Sequence, residues 1–145
     1  MAGTSLIGKA YPAFEYEVGK EKIAEYARAI GEQERVYFDR GAARDAGFRD
    51  VVAPPMFAVV YSAGALTHAL FDHELGVDFA RLVHGAQEFD WDEPVCCGDV
   101  ISTVASVDDI AEKAGNGFFT LGSVSTNQEG AGVVRGTWTH IVRGT

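Results

Sequence analysis

Val51-Val52-Ala53-Pro54-Pro55-Met56-Phe57-Ala58-Val59-Val60-Tyr61-Ser62-Ala63-Gly64-Ala65-Leu66-Thr67-His68-Ala69-Leu70-Phe71 is the stretch on which the fold turns. Two prolines in a row cannot continue a helix, but they can open one, because the first turn leaves its N–H groups unused. Beyond them Met56, Phe57, Val59, Val60, Ala63, Leu66, Leu70 and Phe71 cover most faces of a helical wheel. A surface helix is apolar along one stripe, whereas a helix apolar nearly all round is surrounded by protein. The run falls short of the ~20 residues of a membrane span and carries His68, so it reads as a buried central helix. Ala63, Gly64 and Ala65 leave room for another backbone to come close.

Upstream, Phe14, Tyr16 and Val18 alternate as a short strand. Ile23, Tyr26, Ala27 and Ile30 then recur with helical spacing, and Gly31 stands where that helix would end. A second short helix is expected from an Asp39 N-cap, burying Ala42, Ala43 and Ala46 and stopping at Gly47. Downstream, strands are predicted at Leu82–Trp91, Val100–Asp108, Phe118–Thr126 and Val133–Val142. Asn116-Gly117 is read as a hairpin turn, since both residue types tolerate positive φ. Strand, helices and then an antiparallel meander make an α+β chain in which a sheet wraps around the central helix, the arrangement of the hot-dog fold. One such sheet leaves an edge strand open, so pairing of two domains edge to edge, a dimer, is expected.

The 145 residues read as one domain, 1–145, with 47% hydrophobic residues and no low-complexity segment. A formal net charge of -9 disfavours nucleic acid as a partner. Cys96 and Cys97 are adjacent, lack metal-ligand spacing and suit a reducing cytoplasm as packed or inert thiols. No signal-peptide pattern is seen at the start of the chain, so a cytoplasmic protein is expected. His68, His73 and His140 have no partner at metal-ligand spacing, and no metal site is expected.

An ordered set of motifs extends over nearly the whole chain. It comprises Tyr37-Phe38-Asp39, Ala42-Ala43, Gly47, Val52-Ala53-Pro54-Pro55-Met56-Phe57, Val83-His84-Gly85-Ala86-Gln87-Glu88-Phe89, Pro94-Val95 and Gly98-Asp99. The set resembles the MaoC-like N-terminal dehydratase family, and within it the small accessory subunits of heterodimeric (3R)-hydroxyacyl-ACP dehydratases. The resemblance implies a hot-dog fold, an acyl-CoA or acyl-ACP thioester as ligand, and (R)-specific 3-hydroxyacyl dehydration or trans-2-enoyl hydration. It implies no cofactor. In the family an Asp and a His hold the reacting water as acid and base, and a backbone N–H at the opening of the central helix polarises the thioester carbonyl.

Two departures from that pattern follow once the family motif Gly-Asp-x-Asn-Pro-x-His is laid on Gly31. Glu32 stands at the Asp position and Tyr37 at the His position. A phenol ionises near pH ~10 against ~6.5 for imidazole, so Tyr37 is a poor acid–base replacement. The His-Gly pair that opens the helix in catalytic members is Pro54-Pro55 here, and Pro55 has no N–H to give. Met56 or Phe57 would have to donate instead. Glu32 is thus either a displaced catalytic carboxylate or a solvated loop charge, and Tyr37 either lines an acyl pocket or buries its ring. His84 is either a polar group at a channel or subunit interface or a hydrogen-bonded structural histidine; Gly85 beside it, with Pro55, Met56 and Phe57, is a candidate substrate-binding position, its other reading being close packing. Glu88, Asp90 and Asp92 read as the solvated face of a strand whose other face carries Phe89 and Trp91.

Three functions stay open at this point. The first is an accessory subunit that completes the acyl tunnel of a catalytic MaoC-like partner in a heterodimer. The second is a self-sufficient homodimeric enoyl-CoA hydratase with a shifted site, and the third a non-catalytic acyl-thioester binder.

Overall fold

In the computed structural model, which describes residues 3–144, the apolar run folds as expected. Pro55–Phe57 form a single 3₁₀ turn that leads directly into helix α3, Ala58–Leu70. Around it lie strand β1 (Phe14–Glu17), helices α1 (Lys20–Ala29) and α2 (Arg40–Asp45), and strands β2 (Leu82–Trp91), β3 (Val100–Lys113), β4 (Asn116–Thr126) and β5 (Gly132–Val142). The strands form one antiparallel sheet in the order β1-β3-β4-β5-β2, which leaves β1 and β2 as its edges. This is the hot-dog arrangement, with α3 lying along one face of a curved five-stranded sheet.

Alternation along β3 to β5 decides which side is buried. Leu66 and Ala69 of α3 meet Phe119, Leu121 and Trp138 in one half of the core. Phe57, Ala58 and Tyr61 meet Ile23, Ile101 and Val133 in the other. Each fully buried large side chain of this kind contributes about 1.5–3 kcal/mol. Two polar pairs lie on the inner face: Thr103 Oγ1 and Ser125 Oγ are 2.7 Å apart, and Trp138 Nε1 donates to Ser123 Oγ at 2.9 Å. Gly64 does permit a close approach, but of a ring rather than a backbone, since a Cβ there would overlap Phe14.

Local expectations need four corrections. The β3–β4 turn is Ala114-Gly115, at φ 52° and 79°, and Asn116 already pairs with Lys113. Asn116 instead accepts a hydrogen bond from Gly144 N–H at 2.8 Å. Ile30 is 49% exposed and Ala46 is also exposed, because α1 and α2 end before these residues can turn inward. Strand β3 runs on to Lys113 past an irregularity at Asp108. Cys96 and Cys97 lie in a turn rather than a strand, with Cys96 buried. No helix among the described residues is long and apolar enough to cross a membrane.

Candidate functional site

Gly31, at φ 80°, ends α1 in the left-handed conformation that glycine adopts without strain, and Glu32 N–H reaches back to Ala27 carbonyl at 2.9 Å. The chain then makes a 3₁₀ turn, Arg35–Tyr37. Two backbone bonds draw this loop, the segment before α3 and the segment after β2 together. Val52 N–H donates to Val36 carbonyl at 3.1 Å, and Ala53 N–H donates to Val95 carbonyl at 2.8 Å. The loop bearing Tyr37, the segment before α3 and the segment after β2 therefore converge.

Between them is an apolar pocket of about 410 Å³. Its buried lining includes Val52, Tyr61 and Val133; its exposed lining includes Pro55, Trp91, Asp92 and Glu93. Val36, Tyr37 and Phe48 form another part of the wall and are half-buried. The size and apolar character suit a small hydrophobic ligand. Burial, followed by the charges of Glu32 and Glu34, pushes the Tyr37 phenol above its ordinary range, so it is a neutral donor near pH 7. Glu32 itself is half-buried and not part of the lining, but its charge acts on Tyr37.

The helix opening is rebuilt around the prolines. Trp91 Nε1 donates to Pro55 carbonyl at 2.8 Å, and Phe57 N–H donates to Pro54 carbonyl at 2.9 Å. Met56 N–H makes no hydrogen bond among the described residues, which leaves it as the free donor of this turn. Met56 is 42% exposed, whereas Phe57 is fully buried with its ring against Tyr16, Tyr26 and Tyr61.

His84 and Gly85 lie elsewhere. They occupy the start of β2, roughly 20 Å along the strand from Trp91 at its end. His84 is exposed on the sheet edge and stacks on Trp138 and His140 at 5.8 and 5.1 Å. Its Nε2 sits 2.9 Å from Gln87 Oε1 and 3.1 Å from Ala86 carbonyl. Gly85 is the bulge residue of the β2–β5 pairing, where a Cβ would meet Ile141 Cδ1 at 2.5 Å. His140 is 7% exposed with an unpaired Nδ1; burial and then His84 push its pKa down to about 4.

The Gly98-Asp99 motif has a structural task. The fully buried Asp99 carboxylate accepts from Arg49 Nη1 and Nη2 at 2.7 and 3.0 Å, from Cys96 N–H at 2.9 Å and from Gln128 Nε2 at 3.0 Å. Burial pushes its pKa up, but these partners outweigh it and hold the carboxyl below its ordinary range. The clasp anchors the turn that follows Val95 and hence one side of the pocket. No group of three or more His, Cys, Asp or Glu is placed to hold a metal among the described residues.

Sequence reasoning missed Tyr61 as a pocket residue and the bond from Trp91 to Pro55. Tyr61 lies within the helix predicted as buried without being singled out, and the strand pattern puts Trp91 on one face with Phe89, but neither says what the residue faces.

Comparison with known proteins agrees with this picture. The family described as FAS1-like, dehydratase domain region, matches residues 5–135. The chain is 45% identical to a UPF0336 protein of Saccharopolyspora erythraea over 97% of this chain and 91% of that one. Among solved structures it is similar to a chain of the C-terminally truncated HadBC (3R-hydroxyacyl-ACP dehydratase) complex from Mycobacterium tuberculosis. That match has a TM-score of 0.80 and 25% identity, and covers 94% of this chain and 96% of that chain. It is also similar to a MaoC-like dehydratase at a TM-score of 0.83 and 26% identity, covering 97% of this chain but 43% of that longer one. The chain belongs to the FAS1-like dehydratase-region family of MaoC-like hot-dog proteins.

Proposed function

We propose that this protein is the accessory subunit of a heterodimeric (R)-specific 3-hydroxyacyl-thioester dehydratase, in which it houses the acyl chain while a partner supplies the acid–base pair. The observation that carries this reading is the composition of the pocket at the helix opening. Its wall is apolar, and the motif resemblance puts Tyr37 where the family has its histidine and Pro55 where it has its carbonyl-polarising glycine. A neutral phenol is a weak base near pH 7, and a proline offers no N–H. A general acid–base step and an oxyanion donor must then come from elsewhere. The HadBC structure, itself a complex, is a dehydratase of this fold built from unlike subunits, which supports the same reading. The open edge of β2 is the surface on which a second hot-dog chain would pair. Glu32 and Tyr37 then contribute to the pocket's surroundings rather than to proton transfer, and Pro55 shapes its rim, whereas Met56 and Phe57 lie outside the lining.

One observation favours the self-sufficient homodimer instead: Met56 N–H is unoccupied one residue beyond Pro55. A shifted site would use that donor together with Glu32. Co-purification from the native host separates the two. The accessory reading expects a MaoC-like partner with an intact Asp/His motif in the complex; a stable homodimer that never takes such a partner contradicts it.

A further inference from the structure

Tyr61 is 2% exposed, and its ring packs against Phe57 with centroids 6.2 Å apart. Its hydroxyl makes no hydrogen bond among the described residues. Among the described residues, the buried side-chain polar atoms both sealed from solvent and unpaired are Gln87 Nε2 and His140 Nδ1. The residual exposure of Tyr61 therefore reaches its hydroxyl, and the residue lines the pocket. A phenol open to the pocket can be hydrated, but one left without an acceptor once a ligand expels that water is costly. The other buried lining residues, Val52 and Val133 among them, offer no side-chain acceptor, whereas Trp91, Asp92 and Glu93 are exposed.

We propose that the Tyr61 hydroxyl is the polar seat of this pocket and that the ligand it selects is an uncharged alkyl chain bearing one acceptor oxygen along its length. This rests on the acyl-chain reading above and narrows it. The aliphatic wall favours methylenes, and Asp92 and Glu93 at the rim repel a carboxylate or phosphate, so the charged part of any carrier stays outside. A keto or hydroxyl oxygen carried inward by the chain gives the phenol the acceptor it lacks. A plain chain fills the same space but leaves the hydroxyl unpaired.

The test uses the full chain as it co-purifies from its host, titrated calorimetrically with neutral S-acyl pantetheines. The series is decanoyl-pantetheine and its mono-oxo and mono-hydroxy derivatives, with the oxygen moved along the chain. At least one oxygenated member is expected to bind about fivefold tighter than the plain chain, the yield of one neutral hydrogen bond. Tyr61→Phe should erase that gain, leave plain-chain affinity within about twofold, and melt no lower than wild type. Binding of the plain chain with no gain for any oxygenated member overturns the inference and leaves the acyl pocket standing. So does a gain that survives Tyr61→Phe, or a variant melting several degrees lower, which would mean the hydroxyl is used within the fold. Failure of every chain to bind removes the acyl pocket and this inference with it.

Discussion

Asp99 and Tyr37 both stand in turns that resemble motifs of the same family, and they differ in how the protein uses them. Asp99 is fully buried, and its two oxygens take four hydrogen bonds from Arg49, Cys96 and Gln128. Tyr37 is half-buried beside an apolar pocket, with no hydrogen bond from its hydroxyl among the described residues. The turn that holds the scaffold is saturated with partners. The turn that borders the pocket leaves its phenol without a bond among the described residues. Scaffold and chemistry are thus separable in this fold, as expected when function resides in a site grafted onto an architecture.

Cutting the clasp should give the largest effect. Asp99→Ala removes charge-assisted bonds to three residues and should cost about 3 kcal/mol, read as a lower urea midpoint at unchanged m-value. Because Arg49 is itself 56% exposed, no buried cation is stranded, which keeps the loss below the worst cases for a broken ion pair.

Acid should sharpen the contrast. The Asp99 carboxyl is held below its ordinary 3.8, so its contribution is complete above that pH and is lost as pH falls below it. His140, pushed down to about 4, acts in a higher window. The unfolded chain takes up its proton near ~6.5 while the folded chain resists, so stability falls by up to about 3 kcal/mol between those two values. Melting scans from pH 7 to 3 should show both losses. Asp99→Asn should flatten only the lower one, and His140→Asn only the upper.

The ligand-facing side should respond less in stability. Trp91→Phe deletes the bond to Pro55 carbonyl and should cost about 1 kcal/mol in thermal or urea unfolding. Tyr37→Phe and Glu32→Ala should stay within about 0.5 kcal/mol of wild type, because neither removes a bond the fold uses. A loss of several kcal/mol from either would erase the distinction between the two turns.

Much of the architecture was legible in the sequence because periodicity reports burial directly. The all-round apolar run at Met56–Phe71 forecast α3, and the stretch Leu82–Trp91 matches β2 to the residue. The β3–β4 turn was misjudged because Asn116-Gly117 has stronger intrinsic turn chemistry than Ala114-Gly115. Pairing of Lys113 with Asn116 and the bond from Gly144 to Asn116 override it. The candidate site was legible only in part. Tyr37 and Pro55 were reached through the motif, but the pocket joins segments some fifteen to forty residues apart through Val52–Val36 and Ala53–Val95 bonds. No spacing rule reports that closure, so Trp91 reads only as a strand residue and Tyr61 is not singled out. Asp99 is legible only as half of the Gly98-Asp99 motif, because its four donors come from three separate segments.

The central claim, that this subunit encloses the acyl chain without itself catalysing, is tested most directly by trans-2-enoyl-CoA hydration measured on the isolated chain and on its co-purified complex. The account predicts no turnover above background by the isolated chain across several acyl lengths, and turnover by the complex that Glu32→Ala and His84→Ala leave intact. Turnover by the isolated chain that Glu32→Ala abolishes would contradict it.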